Sequence, residues 1–362
     1  MSTTHNIPSI TTGKLVTQLT ELYATAYSSG TLEKLPSVAL WGPMGVGKSS
    51  AVKEIAQDLS QKVGKKVTVT DIRLLNFSPV DLRGIPSADE QRKFAVWLKP
   101  KIFDLPADCI NILFLDEISA APQSLQAAAY QIALDKTIGE HRLPKDCIVI
   151  CAGNRTTDRS VAFRMPKALA NRLMHFEVVA NFETWYLWAI EQGLDERVIG
   201  YLAFDNSKLN PEAGLEELAF PTPRSWEFVS RLLLTTKKMP EQIHTLLSSC
   251  VGVSIASEFE AWCRVYDRLP ATTDILSGKC IVPVKGADVT YAVISSLLTY
   301  ITQRSEHLSA REVENVCRYA SQFPADFAAL FFRSLLTMGG MNLKLLHSPS
   351  FSAWMKQNKH IL

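Results

Sequence analysis

The stretch "GPMGVGKSS", comprising Gly42, Pro43, Met44, Gly45, Val46, Gly47, Lys48, Ser49 and Ser50, fits the pattern G-x-x-x-x-G-K-[ST]. It follows the apolar run "SVALW" and precedes the amphipathic run "KSSAVKEIAQDLSQKVG", the strand–loop–helix setting in which this pattern has meaning. Its chemistry is phosphate binding. Glycines let backbone N–H groups approach phosphate oxygens, Lys48 offsets the charge of the β and γ oxygens, and the Ser49 hydroxyl suits Mg²⁺. Such a loop reads phosphates rather than the base. No guanine-reading N-K-x-D occurs, since "NKHI" at Asn358 lacks the aspartate, so ATP is the expected nucleotide.

Two carboxylates, Asp116 and Glu117, end the apolar run "NILFLDE". Carboxylates at a buried strand terminus are costly unless compensated, and a hydrated Mg²⁺ compensates them. Asp116 is therefore assigned to the metal, together with Ser49, and Glu117 to polarising the attacking water. Asn154 ends the next apolar run, "CIVICAGN", where a neutral amide can orient water without competing for the metal. A simple turn asparagine is the other reading of that residue.

These side chains need a sheet to gather them. From about Pro36 to Val179, "SVALWG", "KVTVTDIRLL", "CINILFLDE", "CIVICAGN" and "RLMHFEVV" alternate with helical stretches, the rhythm of a parallel α/β sheet. The helix "APQSLQAAAYQIALDKTIG" is expected to end at Gly139. The turn-rich "FDNSKLNPEAGLEEL" marks a boundary, which gives an α/β nucleotide-binding domain over residues 1–204 and an all-α part over 205–362. In the latter, Ser309 and Glu312 form a capping box, with Leu308 and Val313 as its hydrophobic staple.

Composition excludes several classes. The 362 residues are 47% hydrophobic and 20% charged, which speaks against disorder. A net charge of +2 gives no global reason to expect nucleic acid. Seven cysteines form no CxxC pair and no metal-ligand cluster with the histidines, as expected of reduced thiols in a cytosolic core. "MSTTHNIPSITTGK" has no secretory pattern, and the most apolar run, Val289 to Ile301, is too short to span a bilayer. A cytoplasmic protein without a membrane partner is the expectation.

With these residues in order, the chain resembles an AAA+ ATPase, and the MoxR-like branch most closely, over roughly Leu35 to Leu233. The resemblance implies a P-loop domain followed by a helical lid, and a ring of identical subunits, typically a hexamer. It also implies a protein client, often one bearing a von Willebrand factor A domain. An arginine acting in the neighbouring subunit's site corresponds to Arg172 in "KALANRLMHFEV", with Arg164 and then Arg159 as alternatives. A lid arginine on the nucleotide phosphates corresponds to Arg224 in "FPTPRSWEFVSRLL". A hairpin facing the ring's pore corresponds to about residues 84–99, presenting Phe94, Val96 and Trp97; an ordinary surface hairpin is the plainer reading. A second hairpin is expected at "TIGEHRLPKD", Thr137 to Asp146. Residues 267–362 carry no catalytic signature and read as a helical extension, with three roles open to it: extending the lid, packing against a neighbouring subunit, or docking a client.

Two rival readings stay open at this level. "GNRTTDRS" echoes the McrB-like motors of restriction systems, although no DNA-binding module accompanies it. A nucleotide-gated module with little turnover is the other, and Glu117, Asn154 and Arg172 would serve no purpose in it.

Overall fold

The computed structural model describes residues 7–155, 165, 170–211, 217–264, 269–283, 285–304, 307–338 and 341–358. The chain packs as two compact units, Met1–Ala180 and Asn181–Leu362.

The strands of the first unit, in chain order, are β1 (Ser9–Thr11), β2 (Val38–Trp41), β3 (Val67–Arg73), β4 (Ile85–Ala88), β5 (Ala95–Leu98), β6 (Ile110–Asp116), β7 (Thr137–Ile138), β8 (His141–Arg142), β9 (Cys147–Gly153) and β10 (Met174–Val179). Six of them form one sheet in the order β1-β10-β2-β9-β6-β3, and every pairing is parallel. The runs INILFLD and CIVICAG are apolar almost throughout because both faces of a parallel sheet are covered.

Period two divides the side chains between those faces. Val38, Leu40, Ile112 and Phe114 pack with Leu15 and Leu19 of α1 (Thr12–Ser28) and Val52, Ile55 and Leu59 of α2 (Lys48–Val63). A short α3 (Pro79–Arg83) precedes the hairpin β4–β5. Ala39, Leu113 and Leu115 pack on the other face of the sheet with Leu125, Ala129 and Ile132 of α4 (Gln123–Asp135). With all strands parallel, their carboxyl ends lie at one edge. Because β9 separates β2 from β6, Asn154 leaves the sheet between the phosphate loop and the two carboxylates.

Two expectations are revised and one strand is added. The helix expected to reach Gly139 ends at Asp135, where Lys136 takes the left-handed conformation (φ 50°) and donates its N–H to Ile132 O. Thr137 and Ile138 then enter the small hairpin β7–β8, and Gly139 (φ 56°) turns it; a Cβ there would lie 3.1 Å from Arg83 O. β1 is a further edge strand; at three residues it is too short for an alternation signal. The expected boundary at 204/205 falls inside the second unit: helices Phe182–Glu191 and Glu196–Phe204 pack into the helical core.

Among its described residues, the second unit consists of helices and turns without a strand. One apolar cluster runs from Trp185 and Trp226 through Leu297 and Val316 to Phe351 and Trp354, so the described helices from Thr272 onward belong to the same core as the helices before them. The capping box forms: Ser309 Oγ accepts from Glu312 N at 3.3 Å while the Glu312 carboxylate accepts from Ser309 N at 2.8 Å. Among the described residues, no helix is long and apolar enough to cross a membrane.

Candidate nucleotide site

β2 ends at Trp41, and the loop that follows needs glycine at three places, Gly42 (φ 153°), Gly45 (φ 79°) and Gly47 (φ 94°). At Gly42 the demand is also spatial: a Cβ would lie 2.3 Å from Val178 O of β10. Gly47 caps α2, whose first N–H groups have no intrahelical partner and favour an anion. Val46 anchors the loop in the core, while Met44 and Ser50 are exposed. Lys48 is buried to 9% exposure at the first position of α2. Its Nζ donates to Gly42 O at 2.6 Å, to Pro43 O at 2.9 Å and to Asn154 Oδ1 at 3.4 Å. The loop lysine and the end of β9 thus meet.

The metal assignment has a geometric counterpart. Ser49 Oγ donates to Asp116 Oδ2 at 3.2 Å, and the other oxygen of Asp116 accepts from Glu117 N at 2.9 Å. On β3, Asp71 has its carboxyl pKa raised, first by burial and then by the charge of Asp116, with Arg73 and Lys53 opposing. Hard oxygen donors gathered where carboxylates already repel one another suit Mg²⁺, which is commonly held by one or two protein oxygens and substrate phosphates.

Glu117 sits at φ 61°, a left-handed conformation costing a non-glycine residue about 1 to 2 kcal/mol. Its neighbours enforce it. Ile118 N donates to Ala152 O at 2.9 Å, and Ala120 N to Glu117 O at 3.1 Å. The buried Gln126 amide of α4 donates to Ile118 O at 2.9 Å. Buried Ser119 accepts from Asn154 N at 2.8 Å, joining the turn after β6 to the residue after β9. Strain held this way is typical of sites where a side chain must point in one direction.

Arg172 is exposed in the turn Ala170–Leu173 that enters β10. Arg159 and Arg164 lie outside the described residues. Arg224 belongs to the second unit, exposed in the first turn of helix Pro223–Thr236, whose start is fixed by the capping pair Thr222 and Ser225. A cation opposes the dipole at a helix N-terminus, so helix stability does not account for it.

Several further residues shape this edge. Arg155, directly after Asn154, forms an ion pair with Glu177 of β10, and Ser9 Oγ of β1 donates to the same carboxylate at 3.1 Å. Arg155 was legible as a charge beside a site residue, but its partner is 22 positions away. Ser119 and Gln126 carried no signal, because their roles rest on contacts of the turn after β6 with Asn154 and with helix α4.

Residues 38–183 match the model of the AAA family, the ATPase family associated with various cellular activities. No curated protein matches the sequence. Among solved structures, NtrX from Brucella abortus in complex with ATP is similar at 16% identity, covering 98% of this chain and 69% of that chain, with a TM-score of 0.37. PCH-2 of C. elegans is similar at 16% identity over 71% of this chain and 69% of that chain, with a TM-score of 0.34. A putative ATPase from Cytophaga hutchinsonii is similar at 12% identity over 90% of this chain and 75% of that chain, with a TM-score of 0.31.

Proposed function

We propose, from an AAA domain over residues 38–183, that this chain is a MoxR-like ATPase whose identical subunits assemble in a ring and remodel a protein client. A hexamer and a client with a von Willebrand factor A domain are the specific forms of that reading. The observation that carries the chemistry is the convergence of Lys48, Ser49, Asp116, Glu117 and Asn154 at the carboxyl ends of β2, β6 and β9. Lys48 and the loop N–H groups hold the ATP phosphates. Ser49 and Asp116 hold Mg²⁺, which supplies charge neutralisation at the β and γ oxygens when bound. Glu117 polarises the attacking water, Asn154 orients it, Arg172 reaches the next subunit's site, and Arg224 contacts the phosphates from the helical unit.

Lys48→Ala tests the phosphate loop. Removing a charged hydrogen-bonding group lowers ATP affinity by about 10- to 150-fold, the equivalent of roughly 1.5 to 3 kcal/mol. Titration calorimetry reads it, and an unchanged affinity would sink the loop assignment.

The client reading draws on the hairpin β4–β5. Its turn is closed by Asp89, whose carboxylate accepts from Lys93 N at 2.7 Å and Phe94 N at 3.0 Å. Ile85, Phe94 and Leu98 are exposed at 61%, 72% and 58%, with Arg92, Lys93 and Lys99 near them in sequence. Trp97 also ties the two hairpins together: its side chain lies beside Gly139, its backbone N–H donates to Glu140 Oε1 at 2.7 Å, and its backbone carbonyl meets His141 Nε2 at 2.6 Å, so the second hairpin braces the first. Replacing Phe94 and Val96 together by Ala should leave basal ATPase activity within about two- to threefold, because neither side chain touches the phosphates. Stimulation by a von Willebrand factor A domain protein used as probe should vanish. Full stimulation would count against a client-binding hairpin, and stimulation by duplex DNA instead would favour the McrB-like alternative.

A further inference from the structure

Trp41 is the last residue of the phosphate-loop strand, with Gly153 and Glu177 as its register partners on either side. Its indole covers Gly153: a Cβ there would lie 2.9 Å from the indole ring and 3.0 Å from Ser119 Oγ. Only glycine fits directly before Asn154. The same indole stacks near His175 of β10, with ring centroids 6.0 Å apart and an interplanar angle of 20°. Trp41 Nε1 donates to His175 Nδ1 at 2.9 Å.

That bond fixes the tautomer. An indole N–H only donates, so Nδ1 accepts and the ring proton resides on Nε2. Nε2 in turn donates to Ala170 O at 2.7 Å. The same carbonyl accepts from Leu173 N at 3.3 Å, closing the turn that carries Arg172. Leu173 is buried in the cluster on the α4 face, against which Trp41 also packs. The backbone ladder between β2 and β10 begins only at Met174, so the turn lies outside it. A continuous run of contacts therefore leads from the end of β9 through Trp41 and His175 to the turn of Arg172.

We propose that Trp41 and His175 are positioning residues that hold the Arg172 turn in register with the chain's own nucleotide-sensing strand end. The neighbour's site is thereby served by an arginine whose placement answers to this subunit's site. The inference rests on the trans role proposed above for Arg172. Side-chain relays of this kind change the coupling between sites by about 2- to 30-fold.

The experiment uses the full chain and mixed subunits. His175→Ala should keep ATP affinity within about twofold and lose about tenfold in turnover at saturating ATP. His175→Gln, whose amide can accept from the indole and donate to Ala170 O, should stay within about threefold of wild type. Mixing His175→Ala with Lys48→Ala should restore turnover, since the Lys48→Ala subunit keeps an intact arginine turn for its neighbour. The control is Arg172→Ala mixed with Lys48→Ala. Recovery in the control but not in the His175→Ala mixture overturns the inference, because His175 would then act on its own subunit's site. No recovery in the control removes the trans role of Arg172, and the inference falls with it. Should His175→Ala fail to fold, Trp41→Phe, which keeps a ring and loses the donor, goes through the same mixtures with the same two outcomes.

Discussion

In an Arg172→Ala chain, ATP hydrolysis falls by about 10³ to 10⁵ while ATP affinity stays near that of the wild type, the scale known for arginines that stabilise phosphoryl-transfer transition states. The structural ground is that Arg172 is exposed on the turn closed by Leu173 N and Ala170 O. A guanidinium on such a turn can meet an anion on another copy. Single-turnover hydrolysis and equilibrium binding, measured on the same preparation, separate the two quantities. Turnover within tenfold of wild type would transfer the role to another arginine, with Arg164 the next candidate.

Glu117→Gln comes second in size. Loss of a general base costs about 10² to 10⁴ in turnover. Binding should survive, because Lys48, Ser49 and Asp116 keep their positions. The substitution is well isolated: Glu117 already sits at φ 61°, and glutamine in the same left-handed conformation carries a similar backbone cost. The Asp116 bond to the backbone N–H of residue 117 is also untouched by the change. If ATP binding in the presence of Mg²⁺ disappears in Glu117→Gln, the roles of the two carboxylates have been exchanged.

The central strands were legible because a parallel sheet buries both faces and so writes continuous apolar runs, as at Ile110–Asp116 and Cys147–Gly153. The phosphate loop was legible for a local reason: its backbone demands glycine where Gly42, Gly45 and Gly47 stand. What escaped was non-local. β1 is three residues long and gains its place from pairing with β10, 168 positions later. The helix stop at Asp135 escaped because Lys136 adopts a left-handed conformation that glycine would have advertised. The helices Phe182–Glu191 and Glu196–Phe204 carry ordinary amphipathic patterns, and only their packing partners assign them to the helical unit. Ser119, Gln126, Trp41 and His175 escaped for the same reason, since their roles rest on contacts that no local pattern records.

The sheet order also bears on how the chain comes together. The β3–β6 and β6–β9 ladders pair residues such as Val67 with Ile110 and Asn111 with Cys147, separations of 43 and 36. The β2 strand pairs Val38 with Ile150 and with Met174, separations of 112 and 136. Loop-closure entropy rises with separation, and non-local parallel pairings form slowly. The half of the sheet bearing Asp116, Glu117 and Asn154 is therefore favoured to assemble first, and the strand bearing the phosphate loop docks into a gap already walled by β9. A chain leaving the ribosome cannot bring its loop lysine to Asn154, 106 positions later, before β9 has emerged, so the phosphate loop waits for the strand that completes its surroundings.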